Sequence, residues 1–298
     1  MLYSKVTQGI VADNHPTTSG FWETERLATI MWRRLFAEEK ERKMRENRVR
    51  KLWAEGKTVI NGWLHSPSTW SAEVMAHQGW DSLVVDMQHG LMGIETAIQM
   101  LQVISTTETV PMVRVNWNTP GDTMRLLDAG AYGVICPMIE TRDECEAFVG
   151  ACRFPPLGFR SLGPTRARVF AGDDYAEHAN DTVIALAMIE TKVGFDNRDE
   201  IMSVPGLDGV FVGIGDLRLS MTGRAGLTSA DATVDAALDA ILESAQAHKL
   251  RAGLFAADTD HAIDMIKRGY EFVTVMNDVS LMASAASAVV QRVRAKAL

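Results

Sequence analysis

The chain has 298 residues, 47% of them hydrophobic and 23% charged, which is enough for one large core and too ordinary for a disordered, fibrous or membrane-spanning protein. A formal charge of −8, with basic residues scattered apart from one mixed-charge N-terminal tract, opposes phosphate-backbone binding and excludes nucleic acid as the expected partner. No apolar run reaches the roughly 20 residues of a membrane helix, Met1-Leu2-Tyr3-Ser4-Lys5 is no secretory start, and Cys136, Cys145 and Cys152 have neither an even count nor a CxxC spacing, so a cytoplasmic protein with reduced cysteines is expected.

Residues 1–47 stand apart as an N-terminal extension, expected to be a helical arm ahead of a domain spanning 48–298. Leu27, Ile30, Met31 and Leu35 recur at helical spacing before the charged tract Glu38-Glu39-Lys40-Glu41-Arg42-Lys43. Short apolar runs then fall near 58–64, 82–87, 110–115, 133–138, 183–189, 209–213, 250–255 and 271–276, with amphipathic segments between them. Eight strands alternating with helices predict parallel βαβ units closed into a (β/α)8 TIM barrel, whose usual length is about 250 residues. Between the third and fourth strands, Asn118-Thr119-Pro120 opens a helix and Gly130 closes it. The long fourth connection carries Phe154-Pro155-Pro156-Leu157-Gly158-Phe159-Arg160-Ser161-Leu162-Gly163-Pro164. Such a loop is expected over the barrel mouth, with Arg160 and Arg166 as candidate contacts to an anionic substrate.

The second run, Leu83-Val84-Val85-Asp86-Met87-Gln88-His89-Gly90, breaks from β-branched residues into a carboxylate, an amide and an imidazole. Taken alone it reads as a strand, a capping Asp86 and a satisfied His89. Barrel sites, however, are assembled from several strand termini, and the other strands end in the same way. Trp63 and His65 follow the first strand, Arg114 ends the third, Glu190 follows the fifth and Asp216 follows the sixth.

Glu190 and Asp216 together suit one hard divalent cation, which takes one or two protein carboxylates and fills its other positions with water and substrate oxygens. The choice among Mg²⁺, Mn²⁺ and Co²⁺ stays open. Gly213-Ile214-Gly215-Asp216 lets backbone N–H groups approach a substrate carboxylate. It is no dinucleotide fingerprint, because Arg218 stands where the third glycine would fall. A cation, an arginine and an imidazole in one pocket suit chemistry through an enolate. In that reading Arg114 stabilises charge on the keto oxygen of a 2-oxo acid and His89 shuttles the proton.

Asn61-Gly62-Trp63, Ser71-Ala72-Glu73, Asp86-Met87-Gln88-His89-Gly90, Val113-Arg114, Trp117-Asn118, Leu126-Leu127-Asp128-Ala129-Gly130, Pro137-Met138, Arg160-Ser161-Leu162-Gly163, Ile189-Glu190-Thr191 and Gly213-Ile214-Gly215-Asp216-Leu217 then act as spaced motifs. From about residue 44 onward the chain resembles the HpcH/HpaI family of metal-dependent (class II) aldolases acting on pyruvate and related 2-oxo acids. The resemblance implies a barrel of the phosphoenolpyruvate/pyruvate type with an exchanged C-terminal helix, assembled as a hexamer (a dimer of trimers) with active sites at subunit interfaces. It implies metal ligands at Glu190 and Asp216 and an acid/base role for His89 with Asp128 as its carboxylate partner. It also implies Arg114 on the keto oxygen, and substrate held by Trp63, Gln88 and the backbone of Gly213, Gly215 and Asp216. From spacing alone Asp128 is a helix-end residue.

The expected partners are thus a small 2-oxo acid and an aldehyde, and the expected activity is reversible cleavage of a 4-hydroxy-2-oxo acid to pyruvate and an aldehyde. Rival readings are decarboxylation of a 2-oxo acid such as oxaloacetate, Schiff-base chemistry on Lys192, and a weakened barrel kept for binding. Three departures from the family pattern stand out: the N-terminal extension, Ile214 in place of the usual proline with Arg218 in place of a small residue, and His65 beside Trp63. His65 could tune the aldehyde pocket, carry a proton or face solvent.

Overall fold

The eight apolar runs become eight strands, Val59–Leu64 (β1), Ser82–Asp86 (β2), Val110–Arg114 (β3), Gly133–Cys136 (β4), Ile184–Ile189 (β5), Gly209–Val212 (β6), Arg251–Ala256 (β7) and Phe272–Val275 (β8). In this computed structural model, which describes residues 42–226 and 231–297, they pair in parallel in sequence order and close on themselves, β8 against β1. The amphipathic helix expected within residues 1–47 lies outside the described residues. The compact unit containing the barrel runs Lys43–Leu298.

Strand side chains alternate between two faces, and the alternation divides the core in two. Trp63, Val84, Met112, Ile135, Leu186, Met188, Phe211 and Phe272 fill the barrel interior. Leu64, Leu83, Val85, Val113, Val134, Ala185, Ala187 and Val212 face the surrounding helices. The interior polar groups are paired: Asn61 Nδ2 donates to Thr274 Oγ1 at 2.8 Å, and Ser82 Oγ donates to Asn61 Oδ1 at 2.7 Å. Arg48–Ala54 (α1) stops the strand-start end by burying Val49 and Trp53 against the interior cluster. Its cap, Asn47, accepts from Val49 N and donates to the carbonyls of Tyr132 and Thr182, which ties the plug to two barrel loops.

The helices that follow β1 to β3 are Thr69–Ala76 (α2), Ile94–Ile104 (α3) and Pro120–Asp128 (α4). Pro120 at the first position and Asp122 in the first turn suit the start of α4, since proline's missing N–H costs no helical bond there and the positive helix end favours a carboxylate. Strand β4 stops at Cys136, short of the expected 138, because Pro137 has no N–H for the ladder and Met138 turns to φ 56°.

The long fourth connection corrects one expectation. After Arg142–Cys152 (α5) the chain has already returned to the strand-start end, so Thr165–Ala171 (α6) and Tyr175–Thr182 (α7) pack there and not over the mouth. Arg160, 1% exposed, reaches Asp128 Oδ1 at 2.7 Å and Tyr175 Oη at 3.1 Å and lies 4.4 Å from the Phe154 ring centroid. Arg166 bonds Ala129 O and Ser105 Oγ. Both arginines tie helix ends together at the strand-start end, away from the mouth of their own barrel.

Beyond β5, Lys192–Asp196 (α8) and Arg198–Met202 (α9) are short. Ile214–Thr222 (α10) and Ala232–Ala247 (α11) flank the next connection, Thr259–Arg268 (α12) follows β7, and Asp278–Ala297 (α13) follows β8.

Candidate active site

Parallel register sets the centre of the site. Asp86 and Arg114 are the last residues of β2 and β3 and are paired across the ladder, both directed inward. Asp86 is wholly buried and accepts from Arg114 Nε (2.8 Å) and Nη2 (2.5 Å), Trp63 Nε1 (3.0 Å) and His65 Nε2 (2.8 Å). The backbone N–H groups of Gln88 and His89 add bonds of 3.0 and 3.3 Å to Oδ1, the oxygen that also accepts from Arg114 Nε. Burial opposes ionisation here. The bonds from His65, Arg114 and Trp63 and the guanidinium charge outweigh it, so the Asp86 carboxyl is held well below the usual carboxylate range.

Arg114 is thereby fixed on two nitrogens, with its guanidinium 4.9 Å from the Trp63 ring centroid. Among the described residues its remaining Nη1 has only Met188 Sδ, at 4.0 Å, as a partner, which leaves hydrogens for a ligand oxygen. Trp63 in turn stacks on Phe211 at 5.5 Å and meets Phe255 edge-on at 5.9 Å, so the floor is aromatic.

A cavity of about 180 Å³ opens above this floor, lined by Trp63, His65, His89, Arg114, Glu190 and Asp216 together with the Gly213–Gly215 turn. A larger hollow of about 560 Å³ lies by Arg45, Arg48 and Tyr132 at the opposite, strand-start end. Barrel chemistry belongs to the end where the strands finish, and only the smaller cavity joins several strand termini.

Glu190, 1% exposed, follows β5 directly, and Gly213 follows β6 beside it, since Ile189 and Val212 are register partners. A Cβ at Gly213 would fall on Glu190 Oε2 and 2.8 Å from Glu190 Cβ, so glycine is what makes room for the carboxylate. Met138, in its left-handed conformation, directs its N–H at Glu190 Oε1 at 2.7 Å. Among the described residues Glu190 Oε2, which is buried, has no hydrogen-bond partner. Burial pushes this carboxyl up to about 7, opposed by the Met138 bond and reinforced by the charge of Asp216.

No cluster of three or more His, Cys, Asp or Glu among the described residues forms a metal cage. The donor set still fits a divalent cation that keeps open positions. An orphaned carboxylate oxygen, a second carboxylate nearby and no competing lysine in the lining are what such an ion would require and satisfy. Asp216 lies in the first turn of α10, where the free N–H groups of Ile214, Gly215 and Asp216 form an anion-favouring end. Ile214 takes the position at which proline is favoured and adds an N–H without disturbing the helix start.

Of the sequence-expected site residues, the fold brings together Trp63, His89, Arg114, Glu190, Gly213, Gly215 and Asp216. Gln88 contributes its backbone N–H to Asp86, while its side-chain Oε1 is buried and has no partner among the described residues. Asp128 is not brought to His89 within one chain. It ends α4, which runs antiparallel to the strands, so it lies at the strand-start end and is held by Arg160. Lys192 is bonded to Asp196 on α8 and does not line the cavity, which removes the geometric basis for Schiff-base chemistry. The role of Asp86 as hub was missed. The sequence shows a charged residue of opposite sign at the end of each run, but that the two face each other follows from strand register.

Residues 60–285 match the family model described as HpcH/HpaI aldolase/citrate lyase. The chain is 39% identical over 249 residues to a hydroxypyruvate/pyruvate aldolase of Rhizorhabdus wittichii, covering 84% of this chain and 99% of that one. It is 34% identical over 257 residues to a 4-hydroxy-2-oxo-heptane-1,7-dioate aldolase of Escherichia coli, covering 85% and 97%. Among solved structures, a HpcH/HpaI aldolase/citrate lyase family protein from Burkholderia cenocepacia superposes with a TM-score of 0.77 at 31% identity, over 83% of this chain and 98% of that one.

Proposed function

The chain belongs to the HpcH/HpaI aldolase/citrate lyase family, and on that premise we propose that it is a divalent-metal-dependent aldolase cleaving 4-hydroxy-2-oxo acids to an aldehyde and pyruvate or a related 2-oxo acid. The observation that carries this reading is the convergence of Glu190, Asp216 and a pre-oriented Arg114 on one small cavity at the strand ends. The hydroxypyruvate/pyruvate relative adds hydroxypyruvate as a donor to test.

A cation bound by Glu190 and Asp216 would polarise the carboxylate and keto oxygens of a 2-oxo acid and so acidify its C3 protons. The chain's own groups supply the rest. The first-turn N–H groups of α10 hold the substrate carboxylate. Arg114, clamped by Asp86, directs Nη1 at the keto oxygen where charge develops, at no reorganisation cost during reaction. Trp63, Phe211 and Phe255 give the cavity an aromatic floor beneath the substrate. His89 lines the cavity and serves as a proton carrier. Among the described residues of one chain its imidazole has no carboxylate partner, so pairing with Asp128 requires a second copy of the chain.

We place the site in a hexamer, a dimer of trimers with exchanged C-terminal helices. Val279, Met282, Val289, Val290 and Val293 of α13 are exposed, as are Trp70 and Val74 of α2, so apolar faces on separate elements are left for partner copies.

The test is pyruvate release from a panel of 4-hydroxy-2-oxo acids, using chelator-stripped protein with and without Mg²⁺, Mn²⁺ or Co²⁺. Release restored by metal is expected. No release with any of the three ions contradicts the reading.

A further inference from the structure

The cavity contains a second imidazole. His65 follows β1, and its Nε2 lies 2.8 Å from Asp86 Oδ2. Asp86 is ionised and surrounded by donors, so it can only accept, and Nε2 must carry the hydrogen. Nδ1 then presents a lone pair, and no atom among the described residues bonds to it. The His65 backbone is equally fixed. Its N–H and that of Ser66 donate to Asp278 at 2.8 and 3.2 Å, and its carbonyl accepts from Leu91. The imidazole is about a quarter exposed and lines the cavity, so it is neither a core histidine nor a solvated one.

The groups around it are Asp86 from β2, Arg114 from β3 sharing the same carboxylate oxygen, Asp278 at the start of α13, and His89, Glu190 and Asp216 across the cavity. A carboxylate that orients one ring nitrogen while the other faces the reactants is the arrangement of a general base, and it stabilises the imidazolium that forms. Because His65 and Arg114 share Asp86 Oδ2, a substrate whose keto oxygen rests on Arg114 also lies beside His65.

We propose that His65, oriented by Asp86, is a second acid/base residue of this cavity, taking the C4 hydroxyl proton of the 4-hydroxy-2-oxo acid while His89 carries protons at C3. The assignment rests on the aldolase reading. In cleavage, Nδ1 accepts the hydroxyl proton and the O–H electron pair forms the aldehyde C=O. The C3–C4 bond breaks, and its electron pair passes into the enolate whose oxygen faces Arg114. C3 then takes a proton through His89 and His65 returns its own to water, so no proton is gained or lost overall.

His65→Gln retains an amide N–H of similar reach for Asp86 but cannot carry a proton. Two rates on the same Mn²⁺-loaded, full-length protein separate the roles: pyruvate release from a 4-hydroxy-2-oxo acid, and deuterium exchange into the pyruvate methyl group followed by NMR. Cleavage is expected to fall about 10²–10⁴-fold, while exchange, which removes no hydroxyl proton, falls far less. His65→Asn, too short to reach Asp86, is expected to lose cleavage at least as strongly. Equal loss of both rates in folded His65→Gln reduces His65 to a support for Asp86 and overturns the proposal, and so does unchanged cleavage. Wild-type protein that exchanges pyruvate protons but cleaves no compound of the panel removes the aldolase reading itself, and the proposal with it.

Discussion

At the scale of single residues, Asp86 decides where the chemistry sits. One buried carboxylate orients Arg114, Trp63 and His65 and fixes the turn through two backbone N–H groups. Its folded-state pKa is depressed, so its contribution is present above the unfolded value near 4 and is lost as pH falls toward the folded one. Stability should therefore decline on acidification from about pH 5 downward, and Asp86→Asn should flatten that acid limb. At neutral pH the same substitution leaves Arg114 buried against a neutral acceptor and should cost about 3–5 kcal/mol. Urea unfolding across pH checks both, and an acid limb as steep in the variant as in the wild type contradicts the first. The polar residue types of this site were legible in the sequence because they interrupt β-branched runs. Their pairing was not: that Asp86 serves Arg114 follows from strand register, and that Asp128 serves Arg160 follows from where a helix ends.

At the scale of elements, the strands were the most legible part, since a parallel barrel buries both faces of each strand and leaves nearly continuous apolar runs. The fourth connection was the least legible. Pro and Gly marked it as a loop, but composition does not say at which barrel end a loop lies, and only counting through α5 places it at the strand-start end. Helix α13 differs from the other long helices in showing its apolar residues to solvent: Met282, Val289 and Val293 repeat at helical spacing and are all more than half exposed. Its start is anchored, where Asp278 accepts from His65 N, Ser66 N and Ser71 Oγ. If that stripe docks on a second copy, the full chain sediments as a hexamer, whereas Val289→Glu combined with Val293→Glu yields smaller, folded species. A monomeric full chain, or a variant that keeps the wild-type mass, contradicts the exchanged-helix arrangement.

At the scale of the whole molecule, eight strands converge on one mouth, so groups far apart in sequence meet without any loop having to reach. Glu190 and Gly213 adjoin because β5 and β6 are neighbours, while Trp63, Asp86 and Arg114 adjoin because β1, β2 and β3 are. Among the described residues no helix is long and apolar enough to cross a membrane. We propose that this mouth binds one divalent cation through Glu190 and Asp216. Calorimetric titration of Mn²⁺ into chelator-stripped protein, with and without pyruvate, tests it most directly, in the wild type and in Glu190→Gln. One site per chain, tightened by pyruvate and lost in the variant, is the expected result. Mn²⁺ binding that is equal in the two proteins, or that does not respond to pyruvate, rules out Glu190 as a ligand in a substrate-coupled cation site.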